Sequence, residues 1–497
     1  MRDAFDMLVV GGGINGAGIA RDAAGRGLRV CLCEQDDLAA HTSSASSKLI
    51  HGGLRYLQQG EFTLVRKALN ERDTLRRLAP HLIQPLSFVL PHVQQLRPAW
   101  MLRAGLWLYD HLGTATAHFP RSQRLDLHRD ARGQALQPRY RRGFAYADAR
   151  VDDARLVLLN ALDAQARGAE IRVRTRCEQL IRHSDHWWAV LRTGNGDVQR
   201  VRAGCVVNAS GPWAGSVLER AGLDAPLGLR LVQGSHIVVP RLFDHDSAYV
   251  LQQPDGRIVF VIPFEDDYTL IGTTDTDFDG DPAGARILDD EQAYLLEAVN
   301  RYLRVPVRTE DVRWRYSGVR PLLADHHTRA SRVTRDYRLA LDTAGAPLLS
   351  VLGGKLTTYR VLAEQALETL APHLPAPGPA WTAQGPALPG GEDGDAAQVG
   401  ARLRHDYPRL PPALLQRLAR TYGSRAAALL GNADAVATLG HHYGAGLYQR
   451  ELDHLVEHEW ARTTDDVLWR RTRLGLQFSA AQRDALATAL RTRTAMA

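Results

Sequence analysis

Residues 5–18, FDMLVVGGGINGAG, decide how this chain folds. The apolar run Phe5–Val10 predicts a buried β-strand, and the glycine-rich run after it matches the pattern G-x-G-x-x-G at the start of a helix. In this pattern Gly11 permits the tight turn, Gly13 lets the backbone approach a pyrophosphate, and Gly16 allows close packing of helix on strand. The N-terminal amides of the helix favour the phosphate charges. A dinucleotide-binding site is therefore predicted.

The acidic residue expected of such a site is also in place. A second apolar run, Leu28–Cys33, ends at Glu34, where a carboxylate can accept hydrogen bonds from a ribose hydroxyl. A phosphate on that ribose would meet the same carboxylate, and this disfavours NADP. The fingerprint alone leaves NAD and FAD open.

Other features of the sequence favour FAD, the longer cofactor. The chain has one fingerprint, and it lies at the extreme N-terminus. Asn208–Gly211 closes a predicted strand with a turn that can pass close to a cofactor. Gly353–Thr358 follows another strand and opens a helix, whose N-terminus would stabilise the negative charge that develops on a flavin ring.

The order of the predicted elements gives an α/β fold with interleaved domains. The parallel βαβ unit at the N-terminus indicates a Rossmann-like FAD-binding domain of the glutathione-reductase type. An antiparallel substrate-binding sheet, mainly residues 80–150 and 225–345, is inserted between its pieces. Asp255-Gly256 lies between two runs rich in β-branched residues, which predicts a hairpin within that sheet.

The C-terminal part has a different composition. Pro372–Asp395 is rich in Pro, Gly and Ala, which is typical of a linker. Beyond it, Ala396–Ala497 has few β-branched runs and many Arg, Leu and Ala residues. We therefore expect the two interleaved domains in residues 1–385 and an all-helical domain in residues 386–497.

The overall composition is that of an ordinary globular protein, with 45% hydrophobic and 23% charged residues. The net charge of +6 favours anionic partners, namely a phosphorylated substrate, an acidic lipid surface or nucleic acid, and does not choose among them. No uninterrupted run of about 18 apolar residues exists, so we expect no membrane-spanning helix. Four cysteines without metal-ligand spacing indicate a reducing, cytoplasmic compartment and no metal site.

Six longer blocks of the sequence are informative together. They are Gly11–Gly27 (GGGINGAGIARDAAGRG), Thr42–Leu57 (TSSASSKLIHGGLRYL), Gly234–Pro240 (GSHIVVP), Ser317–Leu322 (SGVRPL), Gly353–Arg360 (GGKLTTYR) and Glu457–Thr472 (EHEWARTTDDVLWRRT). Through these blocks the sequence resembles a known family, the aerobic, FAD-linked glycerol-3-phosphate dehydrogenases. The resemblance covers essentially the whole chain, and it implies oxidation of sn-glycerol 3-phosphate to dihydroxyacetone phosphate by hydride transfer to FAD.

The substrate implied by this resemblance carries a phosphate, so its pocket needs fixed cations. Arg55, Arg320 and Lys355 are the candidates, each beside a glycine or proline element. Arginine suits bidentate recognition of phosphate, whereas lysine acts as a compact point charge. Tyr56 is expected to hydrogen-bond the substrate.

Oxidation also requires a base that accepts the proton of the C2 hydroxyl, and histidine suits this task near neutral pH. His236, in an otherwise apolar strand, is the leading candidate, and His51 is the second. Arg320 is expected to stabilise the developing alkoxide. The phosphate anchors would hold the reacting atoms about 3–3.5 Å apart, as hydride transfer needs.

A hydroxyl-rich loop, Thr42–Lys48, follows the ribose-binding strand, and in the family it wraps the cofactor. A flexible polar loop would have a similar composition. With the glycine turns, the expected cofactor contacts are Gly11, Gly13, Ile14, Asn15, Gly16, Glu34, Ser43, Ser44, Lys48, Cys177, Ala209, Gly211, Gly353, Gly354, Leu356 and Thr357.

Pro98–Leu112, PAWMLRAGLWLYDHL, predicts a largely apolar helix. Arg103 and Asp110 share one face and are flanked by Trp100 and Trp107, as in helices that lie at a membrane surface. A buried core helix is the alternative. The resemblance favours peripheral or monotopic attachment to an anionic lipid surface, at the cytoplasmic face of the inner membrane. It also implies a membrane quinone as electron acceptor, and we expect a homodimer.

Three other functions compete with this one. A glycerol-3-phosphate oxidase would differ in its acceptor, reducing oxygen to hydrogen peroxide. A flavin-dependent amine or amino-acid oxidase of similar fold would have a substrate without phosphate, and the cations Arg55, Arg320 and Lys355 argue against it. A nucleic-acid-binding module would gather Arg and aromatic residues on one face, whereas the Arg residues here are dispersed.

Overall fold

The computed structural model describes residues 4–54, 57, 60–93, 96, 98–113, 118–224, 229–323 and 336–494. The first of two large sheets has eight strands. They are β1 (Ala4–Val10), β2 (Val30–Cys33), β7 (Glu170–Arg172), β8 (Thr175–Arg182), β9 (Trp187–Thr193), β10 (Val198–Asn208), β17 (Arg338–Asp342) and β18 (Leu348–Leu352). Five of them run parallel in the order β18-β10-β1-β2-β7, while β17 pairs antiparallel with β18, and β9 and β8 extend antiparallel from β10.

Helices cover one face of this parallel core. They are α1 (Ile14–Gly25), α4 (Asp153–Ala166) and α7 (Tyr359–Leu370), and α1 packs between the other two. Small residues allow this packing, because a Cβ atom on Gly18 of α1 would lie 2.6 Å from the Tyr359 ring. On the opposite face, β8, β9 and α5 (Ala214–Arg220) pack in one apolar cluster with outward residues of β1 and β2.

The second sheet has ten strands, and all neighbours pair antiparallel except β4 with β12. Its strands are β3 (Leu49–Ile50), β4 (Ile83–Pro91), β5 (Gln123–Asp126), β6 (Arg142–Val151), β11 (Leu229–Pro240), β12 (Ala248–Gln252), β13 (Ile258–Phe264), β14 (Tyr268–Gly272), β15 (Thr276–Asp277) and β16 (Trp314–Leu323). Strand β11 lies between β14 and β16, so its backbone is hydrogen-bonded along both edges.

The two faces of this sheet are covered differently. Ile237 and Val239 of β11 pack with α6 (Asp289–Asn300), whereas Val238 packs with α2 (Phe62–Leu78) and α3 (Ala99–Leu112). Because side chains alternate along a strand, His236 shares the face of Val238. This alternation decides which polar residues of β11 lie on that face.

The C-terminal helices have an apolar core of their own. This part is helical as predicted, with the addition of a two-stranded ribbon, β19 (His442–Gly444) with β20 (Leu447–Tyr448). Its helices are α9 (Ala396–Asp406), α10 (Pro412–Tyr422), α11 (Arg425–Leu430), α12 (Gln449–His458) and α13 (Ala480–Thr494).

The segment predicted as a linker is packed against the first sheet's helices. It contains a short helix, α8 (Trp381–Gln384), whose Trp381 and Thr382 amides donate to one Asp22 carboxylate oxygen at 2.9 and 3.0 Å. Leu388 is fully buried in the apolar core beneath that helix layer. Pro and Gly content identified irregular backbone correctly, but it carries no information on whether that backbone packs.

The predicted α/β class, with a parallel sheet, an antiparallel sheet and C-terminal helices, is confirmed. The hairpin at Asp255-Gly256 joins β12 to β13, with Gly256 at a φ of +84°. Strand β17 falls inside the range predicted for the second sheet but pairs in the first. The division of the chain at residue 385 stays a prediction. Among the residues described, no helix combines the length and apolar character needed to cross a bilayer.

Candidate active site

A cavity of about 340 Å³ lies between the carboxyl ends of the first sheet's parallel strands and the face of the second sheet that carries His236. Open parallel sheets bind ligands at this edge, because the strands end there in loops and helix N-termini. The predicted site residues that line the cavity are Gly11, Gly13, Ile14, Asn15, Glu34, Ser43, His51, Cys177, Ala209, Gly211, His236, Arg320, Gly353, Gly354, Lys355, Leu356 and Thr357.

The glycine-rich turn after β1 forms one wall. Gly11 has a φ of +112°, and a Cβ atom there would lie 2.6 Å from the Ala209 carbonyl oxygen. Helix α1 then begins at Ile14 without a side-chain cap and without a carboxylate in its first turn. The Ile14 amide donates to the Ser43 hydroxyl at 3.0 Å, which places the start of the hydroxyl-rich loop at the helix N-terminus. An amide-lined end of this kind suits a pyrophosphate.

Glu34 both shapes the turn and faces the cavity. Its two carboxylate oxygens accept hydrogen bonds from the Gly12 amide at 2.6 Å and the Asp36 amide at 2.9 Å. Burial raises the pKa of Glu34, while the two amide donors oppose that change. Each carboxylate oxygen has a further lone pair, so a ribose hydroxyl can still be accepted there.

A second glycine turn, after β18, forms the facing wall. Gly353 and Gly354 have φ values of +83° and +103°, and a short 3-10 turn, Leu356–Thr358, then leads into α7. Asn15 of α1 reaches across, donating to the Gly353 carbonyl at 3.3 Å. Its amide oxygen is buried and has no hydrogen-bond partner within the described residues. Two helix starts therefore converge on one cavity.

These features fit a flavin dinucleotide. The α1 N-terminus suits the pyrophosphate, Glu34 suits the ribose, and the α7 N-terminus suits a ring that gains negative charge on reduction. The glycines provide the space, since a Cβ atom on Gly354 would lie 2.8 Å from Asn15. The predicted cofactor contacts at Ser43, Ala209 and Gly353 line the same continuous cavity.

Gly16 lies outside the cavity lining and acts through packing. A Cβ atom on Gly16 would lie 1.9 Å from the Gly11 carbonyl oxygen.

We expect Gly16→Ala to push α1 away from β1 and to lower FAD affinity at least about tenfold, because overpacking costs about 1–3 kcal/mol. The ratio of flavin to protein absorbance after gel filtration measures this change. Gly215→Ala in α5 is the matched control, since its Cβ atom meets nothing within 4 Å; an equal flavin content in both variants would contradict the packing role.

His236 is buried at the other end of the interface between the sheets. Its ring stacks on Tyr316 of β16, with centroids 4.8 Å apart, and its Nε2 atom lies 2.8 Å from the Ser47 hydroxyl. The Nδ1 atom is buried without a hydrogen-bond partner in the described part of the chain. Gly272 of β14 leaves room for the ring, because a Cβ atom there would lie 2.1 Å from its Cδ2 atom.

The surroundings of His236 keep the imidazole neutral. Burial lowers its pKa well below the ordinary 6.5, and the charges of Arg320 and Lys48 lower it further. A neutral imidazole is the form that can accept a proton. Nε2 already lies at hydrogen-bond distance from one hydroxyl, that of Ser47, and both residues line the cavity.

Arg320 points into the cavity from β16. Its guanidinium forms an ion pair with Asp275 and donates to the Thr273 hydroxyl at 2.9 Å. Gly234 of β11 is required beneath it, because a Cβ atom there would lie 1.9 Å from Nη2. Arg320 is thus held at a fixed place close enough to His236 to affect its pKa.

A buried hydrogen-bond network supports the segment that holds Arg320. The Thr274 hydroxyl donates to Glu291 at 2.5 Å, and the Ser235 amide donates to that hydroxyl at 2.9 Å. The Ser235 hydroxyl and the Gln233 amide group both donate to the other Glu291 oxygen, at 2.9 and 2.6 Å. Glu291 belongs to α6, which covers the opposite face of the second sheet. Hydrogen bonds from that face therefore support the segment that holds Arg320.

Two further predicted residues line the same cavity. His51 lies beside Phe260, with ring centroids 6.0 Å apart, and the next amide, that of Gly52, donates to the Tyr109 hydroxyl of α3 at 3.0 Å. Lys355 lies at the second glycine turn, directly before the 3-10 turn. The predicted substrate contacts Arg55 and Tyr56 lie outside the described residues.

Ser44 and Lys48 line a second cavity of about 290 Å³ instead, behind the hydroxyl-rich loop. The Lys48 ammonium lies 2.7 Å from Asp153 and is almost fully buried. This placement does not support direct contact of either residue with the cofactor. Cys177 does line the first cavity and is buried as a free thiol.

Sequence reasoning missed several residues of the site. Ser47 is the most informative, because it bonds His236 from 189 positions away and no local pattern distinguishes it from its serine neighbours. His41 and Trp213 also line the cavity, with ring centroids 4.6 Å apart. The run of hydroxyl residues at 42–47 signalled the loop, but not which hydroxyl faces which partner.

Comparison with known families agrees with this geometry. Residues 6–360 match the family described as FAD dependent oxidoreductase, and residues 382–494 match the C-terminal domain of alpha-glycerophosphate oxidase. The first match ends at the start of α7, and the second begins within α8, in the packed segment that precedes the C-terminal helices.

Individual relatives extend over nearly the full length. A glycerol-3-phosphate dehydrogenase of Pseudomonas aeruginosa is 51% identical, over 97% of this chain and 94% of its own. A D-erythritol 1-phosphate dehydrogenase of Brucella abortus is 47% identical, over 97% of each. The crystal structure of a glycerol-3-phosphate dehydrogenase from Bacillus halodurans complexed with FAD superposes with a TM-score of 0.76 at 29% identity, covering 95% of this chain and 86% of that one.

Proposed function

The chain belongs to the aerobic, FAD-dependent glycerol-3-phosphate dehydrogenase family, and on that premise we propose that it oxidises sn-glycerol 3-phosphate to dihydroxyacetone phosphate and passes the electrons to a respiratory quinone. FAD is its cofactor. The observation that carries the proposal is the meeting of a buried neutral histidine, His236, with the cations Arg320 and Lys355 in the cavity that the two glycine turns line.

The residues divide the chemistry between them. Arg320 and Lys355 bind the substrate phosphate, since a dianion needs fixed cations in a pocket of limited water access. His236 accepts the C2 hydroxyl proton at Nε2, the atom that lies 2.8 Å from the Ser47 hydroxyl in this structure. When bound, FAD accepts the hydride of C2. Loss of one proton to His236 and of one hydride to the flavin would convert the secondary alcohol to a ketone, so the step balances.

The size of the polyol is a separate point of specificity, because the relatives from Pseudomonas aeruginosa and Brucella abortus are named for polyol phosphates of three and four carbons. We expect kcat/KM for sn-glycerol 3-phosphate to exceed that for D-erythritol 1-phosphate at least about tenfold, and that for glycerol about 10³-fold. Steady-state rates with a short-chain quinone measure all three. A preference for the four-carbon phosphate would replace the proposed substrate and keep the site; equal rates with glycerol would remove the phosphate from recognition.

The acceptor separates a dehydrogenase from an oxidase. We expect substrate-dependent reduction of a short-chain quinone without oxygen, and little hydrogen peroxide in air without quinone. Rates measured in an oxygen electrode with and without quinone decide between them. Oxygen consumption that matches the quinone rate would identify an oxidase. A flavin amine oxidase is disfavoured because its substrate carries no phosphate for Arg320 and Lys355 to recognise.

We also propose that α3 attaches the protein to the cytoplasmic face of the inner membrane, as a homodimer. The helix buries Leu102, Leu106 and Tyr109 and exposes Trp100 at 70% and Trp107 at 60%. Arg103 is exposed on the same side, whereas the Asp110 carboxylate turns back to bind the Ser122 amide at 2.9 Å. Large exposed tryptophans beside a cation suit a headgroup region with anionic lipid.

Replacing Trp100 and Trp107 with serine should release the protein from membranes. Each tryptophan loses a transfer term on the order of 1.5 kcal/mol, so the vesicle partition coefficient should fall at least about tenfold per residue. Cosedimentation with vesicles containing anionic lipid measures it. Val305→Ser, at a valine that is 74% exposed on another surface, is the control. Unchanged sedimentation of the tryptophan variant would show that α3 does not hold the membrane.

A further inference from the structure

We infer that Arg473, in the C-terminal helical domain, is a positioning residue that holds the Ser46–Lys48 turn and, through Ser47, sets the orientation of His236. The inference rests on the role proposed above for His236. The C-terminal domain would thereby affect the reaction, although Arg473 does not line the 340 Å³ cavity.

Arg473 reaches the first sheet's helix layer across the boundary between the domains. It follows the helical turn Asp466–Arg471, and its guanidinium lies 2.9 Å from Asp152 and 3.4 Å from Asp153 at the start of α4. A third carboxylate, Glu265, lies 3.4 Å from the other terminal nitrogen. The side chain is 16% exposed, so solvent screening of these pairs is weak.

Asp153 is the centre to which this cation connects. It is fully buried at the first turn of α4, and its carboxylate accepts hydrogen bonds from the Lys48 ammonium at 2.7 Å and the Ser46 hydroxyl at 2.7 Å. A buried carboxylate needs compensating positive charge, and Lys48 and Arg473 supply it from two different domains. Removing Arg473 would leave the pair Lys48–Asp153 to carry this site alone.

The turn held by Asp153 has a backbone conformation that depends on contacts from its side chains. Lys48 has a φ of +58°, a conformation that side chains other than glycine rarely adopt. The Lys48 ammonium also donates to the Ser44 carbonyl at 2.8 Å, and the Lys48 amide donates to the Ser46 hydroxyl at 2.8 Å. The conformation therefore depends on the same side chains that bind Asp153.

Two contacts connect this turn to His236. The Ser47 hydroxyl lies 2.8 Å from Nε2, and the Tyr316 hydroxyl donates to the Ser46 carbonyl at 2.8 Å while the Tyr316 ring stacks on the imidazole. A shift of the turn would move both the hydrogen-bond partner and the stacking partner of the histidine. Misplacement of a reacting group by about 1 Å can slow a reaction up to about 100-fold.

The test compares Arg473→Met, which keeps the unbranched stem of the side chain and removes the charged guanidinium, with the unchanged holoenzyme. We expect kcat to fall about tenfold or more, the KM for sn-glycerol 3-phosphate to change less than about threefold, and FAD content to stay complete. With substrate deuterated at C2, the isotope effect on kcat should increase, because the chemical step becomes slower. Arg473→Lys should restore part of kcat.

Ser46→Ala tests the same connection from the turn and remains informative if Arg473→Met does not fold. It should give the same selective loss of kcat, and the double variant should lose less than the product of the two single losses, because both changes break one pathway. Effects that multiply would overturn the inference. So would a loss that appears in KM or in FAD content instead of kcat.

Arg420→Met is the matched control, since Arg420 joins the C-terminal domain to Asp266 of the second sheet at 3.1 Å without contacting the turn. It should keep kcat and the isotope effect. Wild-type kcat in Arg473→Met, with His236→Asn still inactive, would overturn this inference and keep the proposed function. If His236→Asn also retains its turnover, the proposed function itself fails.

Discussion

His236→Asn is expected to lower kcat about 10³-fold while the protein retains a full complement of FAD. The substitution removes the ring nitrogen that accepts the substrate proton but keeps a polar side chain of moderate size beside Ser47. General base catalysis by a positioned side chain contributes about 10²–10⁴ in rate, so the expected loss lies inside that range. Steady-state turnover with quinone and the flavin-to-protein absorbance ratio measure the two quantities on one preparation.

The control for this substitution is His245→Asn. His245 is also partly buried beside the second sheet, where it lies 2.8 Å from the Tyr249 hydroxyl, but it does not line the cavity. We expect its turnover to remain close to that of the unchanged protein. Retention of near-normal kcat by His236→Asn would exclude this residue as the base, and His51, which lines the same cavity, would be the next residue to test.

Arg320→Met is expected to lower kcat/KM for sn-glycerol 3-phosphate about 10³-fold, mostly through KM. A charge-assisted hydrogen bond to phosphate contributes about 1.5–3 kcal/mol, and two such bonds are lost with one guanidinium. Part of the measured loss will come from Asp275, whose buried carboxylate loses its ion-pair partner. The double variant Arg320→Met/Asp275→Asn removes that contribution and isolates the effect on phosphate.

Two further measurements identify the role of Arg320. The penalty should be large with the phosphorylated substrate and small with glycerol, because glycerol has no anion to bind. The pH profile should also change: the charge of Arg320 lowers the pKa of His236, so its removal raises that pKa. The acidic limb of kcat/KM, below which His236 is protonated and cannot act as a base, should therefore move to higher pH. An equal penalty with glycerol would contradict phosphate binding.

The parts of the fold that could be predicted were those with local signals. The fourteen residues around Gly11 predicted a strand, a turn and a helix, and Asp255-Gly256 predicted a hairpin. Both predictions were possible because turn geometry depends on the residues at the turn. The packing of Leu388 could not be predicted, since burial of an irregular segment is decided by its distant neighbours. The helix Ala99–Leu112 was predicted, but the inward turn of the Asp110 carboxylate was not.

The candidate site divides in the same way. Residue types and the family blocks identified His236, Arg320 and Lys355 as candidates, and all three line one cavity. Ser47 and Asp153 could not be found, because their roles depend on contacts 189 and 105 positions apart along the chain. Lys48 was recognised by its charge, but its ion pair with Asp153 holds it in the second cavity, away from the predicted cofactor contacts.

The most direct test of the account is anaerobic addition of sn-glycerol 3-phosphate to the purified yellow holoprotein, without any acceptor, in a stopped-flow spectrophotometer. We expect complete bleaching of the flavin absorbance band, with saturation in substrate and a rate that His236→Asn slows about 10³-fold. A flavin band that stays unchanged when the substrate is in excess would contradict it, because the phosphorylated alcohol would then not be the hydride donor.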